Sequence, residues 1–270
     1  MSMSDGTINH WNIIEYDGEA LSEKDEMIAT ELPVTVVVNG VEFATMVCSP
    51  EDLHDLVVGF LASEGLILFY EDIKSIDMDE DAGFIYVDLH KPLPEDTESH
   101  SKRFIGSCCG KSRQFYFKND VKTAKTVLSR MMITVDQSLS LMKELQEHSE
   151  YFHLTGGVHN AALCTLDEML TIRTDIGRHN ALDKIYGHVI KNKIRLSDKL
   201  IVFSGRISSE VLLKISKIGV GILISKSAPT DLALRLANDL QITTIGFVRG
   251  NKLNVYTHPE RLLEVSGTEA

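Results

Sequence analysis

The sequence predicts a mixed α/β (α+β) protein, with a small β-rich domain ahead of a larger domain built on parallel strands. Three observations carry this. The runs "DKLIVFSG", "SSEVLLKISKIG", "VGILISKS", "APTDLALRLANDLQ" and "ITTIGFVRG" read strand, helix, strand, helix, strand, an order that right-handed crossovers turn into parallel pairs. "LPVTVVVNGVEFATMVCS" holds two β-rich runs joined by Asn39-Gly40, the strongest short hairpin signal. Finally, 270 residues with 43% apolar side chains suffice for one large domain or two modest ones.

Taken in order, residues 1–30 are polar and acidic and are expected to be loosely ordered. Residues 31–120 form the small domain. After its first hairpin, "SPEDLHDLVVGFLASEG" predicts a helix: Ser49 can cap it, Pro50 fits its first turn, Asp52 has capping-box spacing and Gly65 can end it. "IKSIDMDEDAGFIYVDLH" predicts a second hairpin turning near Asp81 to Gly83. "KPLPEDTESHSKR" is a polar connector that leads into "RFIGSCCGKSR". Residues 121–270 form the larger domain. It opens with a helix at "DQSLSLMKELQEH", where Leu139, Met142 and Leu145 recur at helical spacing. "AALCTLDEMLTIRT" reads as a hairpin and "HNALDKIYGHVIKN" as a helix. Ligands of open α/β sheets bind beyond the carboxyl ends of the strands. Here those loops are residues 204–210, 225–231 and 247–252.

The net charge of −12 and a pI near 5.3 argue against a general nucleic-acid or anionic-membrane surface. There is no apolar run of 18 residues, and "MSMSDGTINHW" lacks a signal-peptide pattern, so a cytoplasmic protein is expected. The four cysteines, Cys48, Cys108, Cys109 and Cys164, are too few for a disulfide scaffold. Their spacing matches no zinc pattern, and no tightly bound metal is expected.

Four stretches carry possible chemistry. Cys108 and Cys109 stand side by side, flanked by Gly106 and Gly110 and by Lys102, Arg103, Lys111 and Arg113. Nearby cations favour the thiolate, so the pair reads either as a nucleophilic, sulfur-carrying site or as two buried apolar thiols. In "TGGVHNAAL", Gly156 and Gly157 are expected to turn into a short helix with His159 in its first, anion-receiving turn. "TDIGRHNALDKIYG" concentrates Asp175, Arg178, His179, Asn180, Asp183 and Lys184, either as a solvated helix face or as a second N-terminal anion site after Gly177. His179 and Asp183 are four apart and share a helix face. The strand-end loops bring Arg206, Lys226, Ser227, Thr230, Arg249 and Lys252 to one edge, with Phe247 as an aromatic face for a base. Together they describe a pocket for a phosphorylated, nucleotide-like ligand, without a dinucleotide fingerprint or a P-loop.

"TGGVHNAAL", "DIGRHNALDK", "FSGRISSEVLLKISKIG", "SKSAPTDLALRLA" and "IGFVRGNKLNVYTHPERL" resemble, in this order, the motifs of the FdhD/NarQ sulfurtransferases. The resemblance runs over about residues 32–262. It implies a larger domain of cytidine deaminase-like fold and a homodimer. It also implies a cysteine persulfide loaded by a cysteine desulfurase, and sulfur transfer to the molybdenum of bis-(molybdopterin guanine dinucleotide) before the formate dehydrogenase apoenzyme takes up that cofactor. The persulfide loop of the family matches Cys108 and Cys109. Many members carry C-x-x-C there; aligning on the preceding serine selects Cys108, and aligning on "CGK" selects Cys109. We take Cys108 as the carrier and Cys109 as its helper. The guanine-dinucleotide contact of the family matches Phe247, Val248, Arg249, Gly250, Asn251 and Lys252, to which the loop reading adds Arg206 and Ser227. Deaminase chemistry is disfavoured, because Asn160 and Ala161 follow His159 where a glutamate is needed and no P-C-x-x-C exists. Two alternatives are a cofactor-binding chaperone without sulfur transfer and a metal-dependent hydrolase using His159, His179 and Asp175.

Overall fold

The computed structural model describes residues 6–79, 81–93, 103–105, 124–127 and 129–267. Residues 8–29, expected to be loosely ordered, instead form a hairpin of β1 (Ile8–Tyr16) and β2 (Leu21–Ala29). Asp17 makes its turn by accepting the N–H groups of Glu19 and Ala20, and Lys24 bridges Glu15 and Glu26 at 2.8 and 3.1 Å. Charge pairing across the strands replaces apolar alternation, so composition alone misreads the segment. Trp11 (63%), Ile14, Tyr16 and Leu21 stay exposed on this hairpin, whose second strand rests against residues 150–155.

β3 (Leu32–Val38) and β4 (Val41–Cys48) meet at Asn39 and Gly40, both at positive φ as a tight hairpin turn requires. Helix α1 (Leu53–Ser63) follows, then β5 (Ile73–Asp79) and β6 (Phe84–Leu89), joined as predicted through Gly83 at φ 71°. β6 runs parallel to β3, and the short β7 (Arg103–Ile105) runs parallel to β4. The sheet order is β5-β6-β3-β4-β7. The cap of α1 differs from expectation. Asp52, at φ 52°, stands at the N-cap, while Ser49 is drawn elsewhere. Its N–H donates to Asp175 and its Oγ accepts from the N–H of Ile176, both at 3.1 Å. A tertiary contact outcompetes the local cap.

The second sheet is preceded by α2 (Val135–Glu147), capped by the reciprocal Thr134–Gln137 pair, and by α3 (Glu150–Thr155). Its strands are β8 (His159–Cys164), β9 (Met169–Asp175), β10 (Leu200–Phe203), β11 (Ile222–Ser225), β12 (Thr243–Arg249) and β13 (Lys252–Thr257), in the order β13-β12-β11-β10-β8-β9. β10, β11 and β12 are parallel, as the strand–helix alternation predicts. The helices α4 (Arg178–Lys191), α5 (Ser209–Ile218) and α6 (Asp231–Asp239) connect them. The segment after Gly156-Gly157 is strand β8 rather than a short helix. Gly156, at φ 65°, ends α3, and the apolar run beyond it is paired on both sides, with β9 and β10.

Successive residues face opposite cores. Leu200 and Val202 join Leu141, Met142 and Leu145 of α2, whereas Ile201 and Phe203 join Leu182 and Ile185 of α4 together with Val36 and Leu56 of the amino-terminal part. One apolar cluster therefore runs from the small sheet through α1 and α4 to the large sheet. The two helices cross at glycines. A methyl group on Gly187 would overlap the carbonyl oxygen of Asp55, and one on Gly59 that of Asp183.

Buried ions bind the same junction. Asp175 and Lys184, both with fully buried side chains, pair at 2.8 Å. Asp175 also accepts from the N–H of Gly177 (2.8 Å) and the side-chain amide of Asn180 (2.9 Å). Asp183 accepts from Lys214 and from the Ser63 hydroxyl, each at 2.6 Å. Arg173 holds Asp55 at 2.7 Å.

Two stability measurements follow from this junction. Gly187→Ala is expected to cost about 3 kcal/mol, at or above the usual range for overpacking, because the clash is with backbone. A differential scan should therefore show a melting point lower by roughly 6–12 °C, and an unchanged melt would contradict the close crossing. Lys184→Met should cost about 3–5 kcal/mol by stranding the Asp175 carboxylate, and adding Asp175→Asn should recover part of that loss in urea titrations.

Candidate functional site

A cavity of about 280 Å3 opens at the carboxyl edge of the large sheet, between α2–α3 and the loops after β10, β11 and β12. Met142, Leu145 and Phe152 form its helical wall; Ser204, Lys226, Ser227 and Arg249 form the other, with His159 and Asn160 between them. The three loops are stitched to one another. Ser227 Oγ donates to the Ser204 carbonyl (3.0 Å), Ser225 Oγ to the Gly205 carbonyl (2.7 Å), and the Phe247 N–H to the Ser227 carbonyl (3.2 Å). Asn160 ties this edge to the helical wall. Its N–H donates to Ser204 Oγ and its side-chain amide to Ser149 Oγ, both at 2.9 Å, while the Thr174 hydroxyl donates to its side-chain Oδ1 at 2.6 Å.

Strand β12 ends in a bulge, with a register shift between Gly246 and Arg249 and with Phe247 at φ 53°. A left-handed backbone is costly for an aromatic residue and is held here by its surroundings. The bulge turns Phe247 outward and Val248 into the core (1% exposed). The Arg249 guanidinium lies 5.5 Å from the Phe247 ring centroid, and its Nε points to the Lys226 carbonyl at 3.4 Å.

Of the residues expected to contact a nucleotide-like ligand, Ser227 and Arg249 line this cavity. Phe247, Gly250, Asn251 and Lys252 form the exposed turn beside it, between β12 and β13. The Val248 side chain packs with Ile245 and Leu262 and does not reach the rim, because the bulge reverses its direction. Arg206 is exposed on the loop after β10, outside the cavity lining. Cys108 and Cys109 lie outside the described residues. Cys48 and Cys164 are fully buried, and burial pushes both thiols up to about 12.

The polar cluster around α4 divides. Asp175, Asn180, Asp183 and Lys184 face inward and serve the junction described above. With both oxygens of Asp175 engaged, it has no free position to join His159 and His179 around a metal. His179 is depressed to about 3, by burial first and then by Lys214, Arg178 and His159. Its Nε2 lies 3.4 Å from a Glu210 oxygen, yet neither that nitrogen nor Arg178 Nε is hydrogen-bonded among the described residues. His159 is also lowered, chiefly by burial. The helical wall was not anticipated from the sequence. Its periodicity marks Met142 and Leu145 as core, and nothing in "EYFHLTGG" distinguishes Phe152 from an ordinary surface aromatic.

Known proteins share this architecture. A profile described as the FdhD/NarQ family matches residues 29–263. The chain is 57% identical over 253 residues to the sulfur carrier protein FdhD of Bacillus subtilis (strain 168), covering 94% of this chain and 97% of that protein. Its counterpart in Staphylococcus haemolyticus (strain JCSC1435) is 52% identical over 260 residues, covering 96% and 98%. The crystal structure of a candidate formate dehydrogenase accessory protein from Desulfotalea psychrophila superposes with a TM-score of 0.77 at 24% identity, over 95% of this chain and 100% of that one, and shows the same fold. With the profile match and such relatives along nearly its whole length, the chain belongs to the FdhD/NarQ family.

Proposed function

We propose that this protein is a cytoplasmic sulfurtransferase that serves formate dehydrogenase, working as a homodimer. Cys108, with Cys109 as its helper, receives sulfur as a persulfide from a cysteine desulfurase. The sulfur then passes to the molybdenum of bis-(molybdopterin guanine dinucleotide), here a substrate, before the formate dehydrogenase apoenzyme takes up that cofactor. The relatives carry the name sulfur carrier protein, which supports the general role.

The observation that carries the reading is the division of the four thiols. Sulfur transfer needs a thiolate. Cys48 and Cys164 are fully buried and held protonated far above neutral pH, so they are poor nucleophiles. That leaves Cys108 and Cys109, in a stretch with Lys102, Arg103, Lys111 and Arg113. In the loading step, the Cys108 thiolate attacks the outer sulfur of the desulfurase persulfide. That S–S bond breaks as a new one forms, the donor leaves as a thiolate, and no electron is gained or lost overall.

The cavity suits the substrate. Lys226 and Arg249 have no carboxylate within ion-pair distance among the described residues, although the chain carries a net charge of −12. Cations left unpaired in an acidic protein fit phosphates.

Incubation with a cysteine desulfurase and radiolabelled cysteine should load sulfur, and mass spectrometry of the loop peptide should find the added sulfur on Cys108. Cys164→Ala should load like the unaltered protein, and the Cys108→Ala/Cys109→Ala variant should not load. Wild-type loading of that double variant would sink the proposal, and full rescue of formate dehydrogenase activity by it would favour a cofactor chaperone without sulfur transfer.

A further inference from the structure

The cavity holds an aromatic ring that neither the strand-end loops nor the matched motifs supply. Phe152 stands on α3, across from those loops, and lines the cavity with 39% of its surface exposed. Its backbone is held by the helix end, where the Gly156 N–H donates to the Phe152 carbonyl at 2.8 Å. The adjacent His153 is fixed by the Gln146 carbonyl, 2.7 Å from its Nε2, and meets the Phe152 ring edge-on at 6.2 Å. The ring is thus placed before any ligand arrives. The Lys226 ammonium lies over it, 5.7 Å from the centroid, and among the described residues has no carboxylate partner. Phe247, by contrast, lies outside the cavity lining, on the exposed turn between β12 and β13.

We infer that Phe152 is the stacking platform for the guanine base of the ligand, and that Lys226 leaves the ring for the neighbouring phosphate as the base arrives. The inference rests on the nucleotide-substrate reading above and adds to it the residue that senses the base. A cation over a ring is a modest interaction at a partly exposed site. Exchanging it for a phosphate contact while a base takes the vacated face replaces one weak contact by two stronger ones. Met142 and Leu145 add apolar surface to the same helical wall, as the flat faces of a bicyclic ring require. At about 280 Å3 the cavity lies near the low end of small-molecule sites, suited to a base and an adjoining phosphate.

Calorimetric titration of the full-length protein with GDP, and separately with pyrophosphate, tests this. Phe152→Ala should weaken GDP binding about tenfold and leave pyrophosphate binding unchanged, whereas Phe152→Trp should retain GDP binding. Lys226→Met should weaken both ligands. Equal GDP affinity of Phe152→Ala and the unaltered protein overturns the inference and leaves the proposed function standing, as does an equal loss of GDP and pyrophosphate in Phe152→Ala. If the unaltered protein binds neither ligand, the nucleotide-substrate reading falls and takes the inference with it.

Discussion

The Asp175 carboxylate is the point from which the rest of the structure is hung. Fully withdrawn from water, such a group would be strongly unfavourable alone, yet it is met by Lys184, by the N–H groups of Ser49 and Gly177 and by the Asn180 amide. These partners come from the β4–α1 junction, the β9–α4 turn and α4 itself. One buried ion thereby fixes the small sheet against the large one and sets where α4 begins. The start of α4 in turn places Arg178 under the loop after β10, its Cβ 3.4 Å from where a Cβ on Gly205 would stand. Ser204, the next residue inward, is a wall of the cavity. The charge at the interior and the shape of the rim are links of one chain of contacts.

Above that base, the rim reverses the character of the whole molecule. The chain is acidic overall, but among the described residues Lys226 and Arg249 sit over aromatic rings rather than beside carboxylates. Rings keep these cations in place without neutralising them. The serines do complementary work. Ser225 and Ser227 donate their hydroxyl hydrogens to neighbouring loops, which ties the rim together.

Much of this was legible beforehand where local chemistry decides the outcome. Asn39-Gly40 demands a tight turn, Gly83 a second one, and the alternation from Leu200 to Arg249 can only be satisfied by parallel strands with helical crossovers. The strand-end loops were identifiable for the same reason, and Ser227 and Arg249 do line the cavity. The failures share a cause: a distant partner overrode a local preference. Ser49 abandons its cap for Asp175 and Ile176, His159 is drawn into a strand by β9 and β10, and Val248 turns inward because β12 bulges. Six polar residues after Thr174 read either as a solvated helix face or as an anion site, but four of them answer buried charges. Phe152 left no trace because its neighbours across the cavity are about fifty residues or more away in sequence.

The hairpin near the amino terminus carries the chain's single tryptophan, Trp11, largely bathed in solvent. Indole emission will therefore sense that arm and almost nothing of the double core. Heating or denaturant would barely shift its colour as the sheets come apart, whereas an apolar surface covering Trp11 would blue-shift it. The protein has a built-in optical reporter, and it watches the outside.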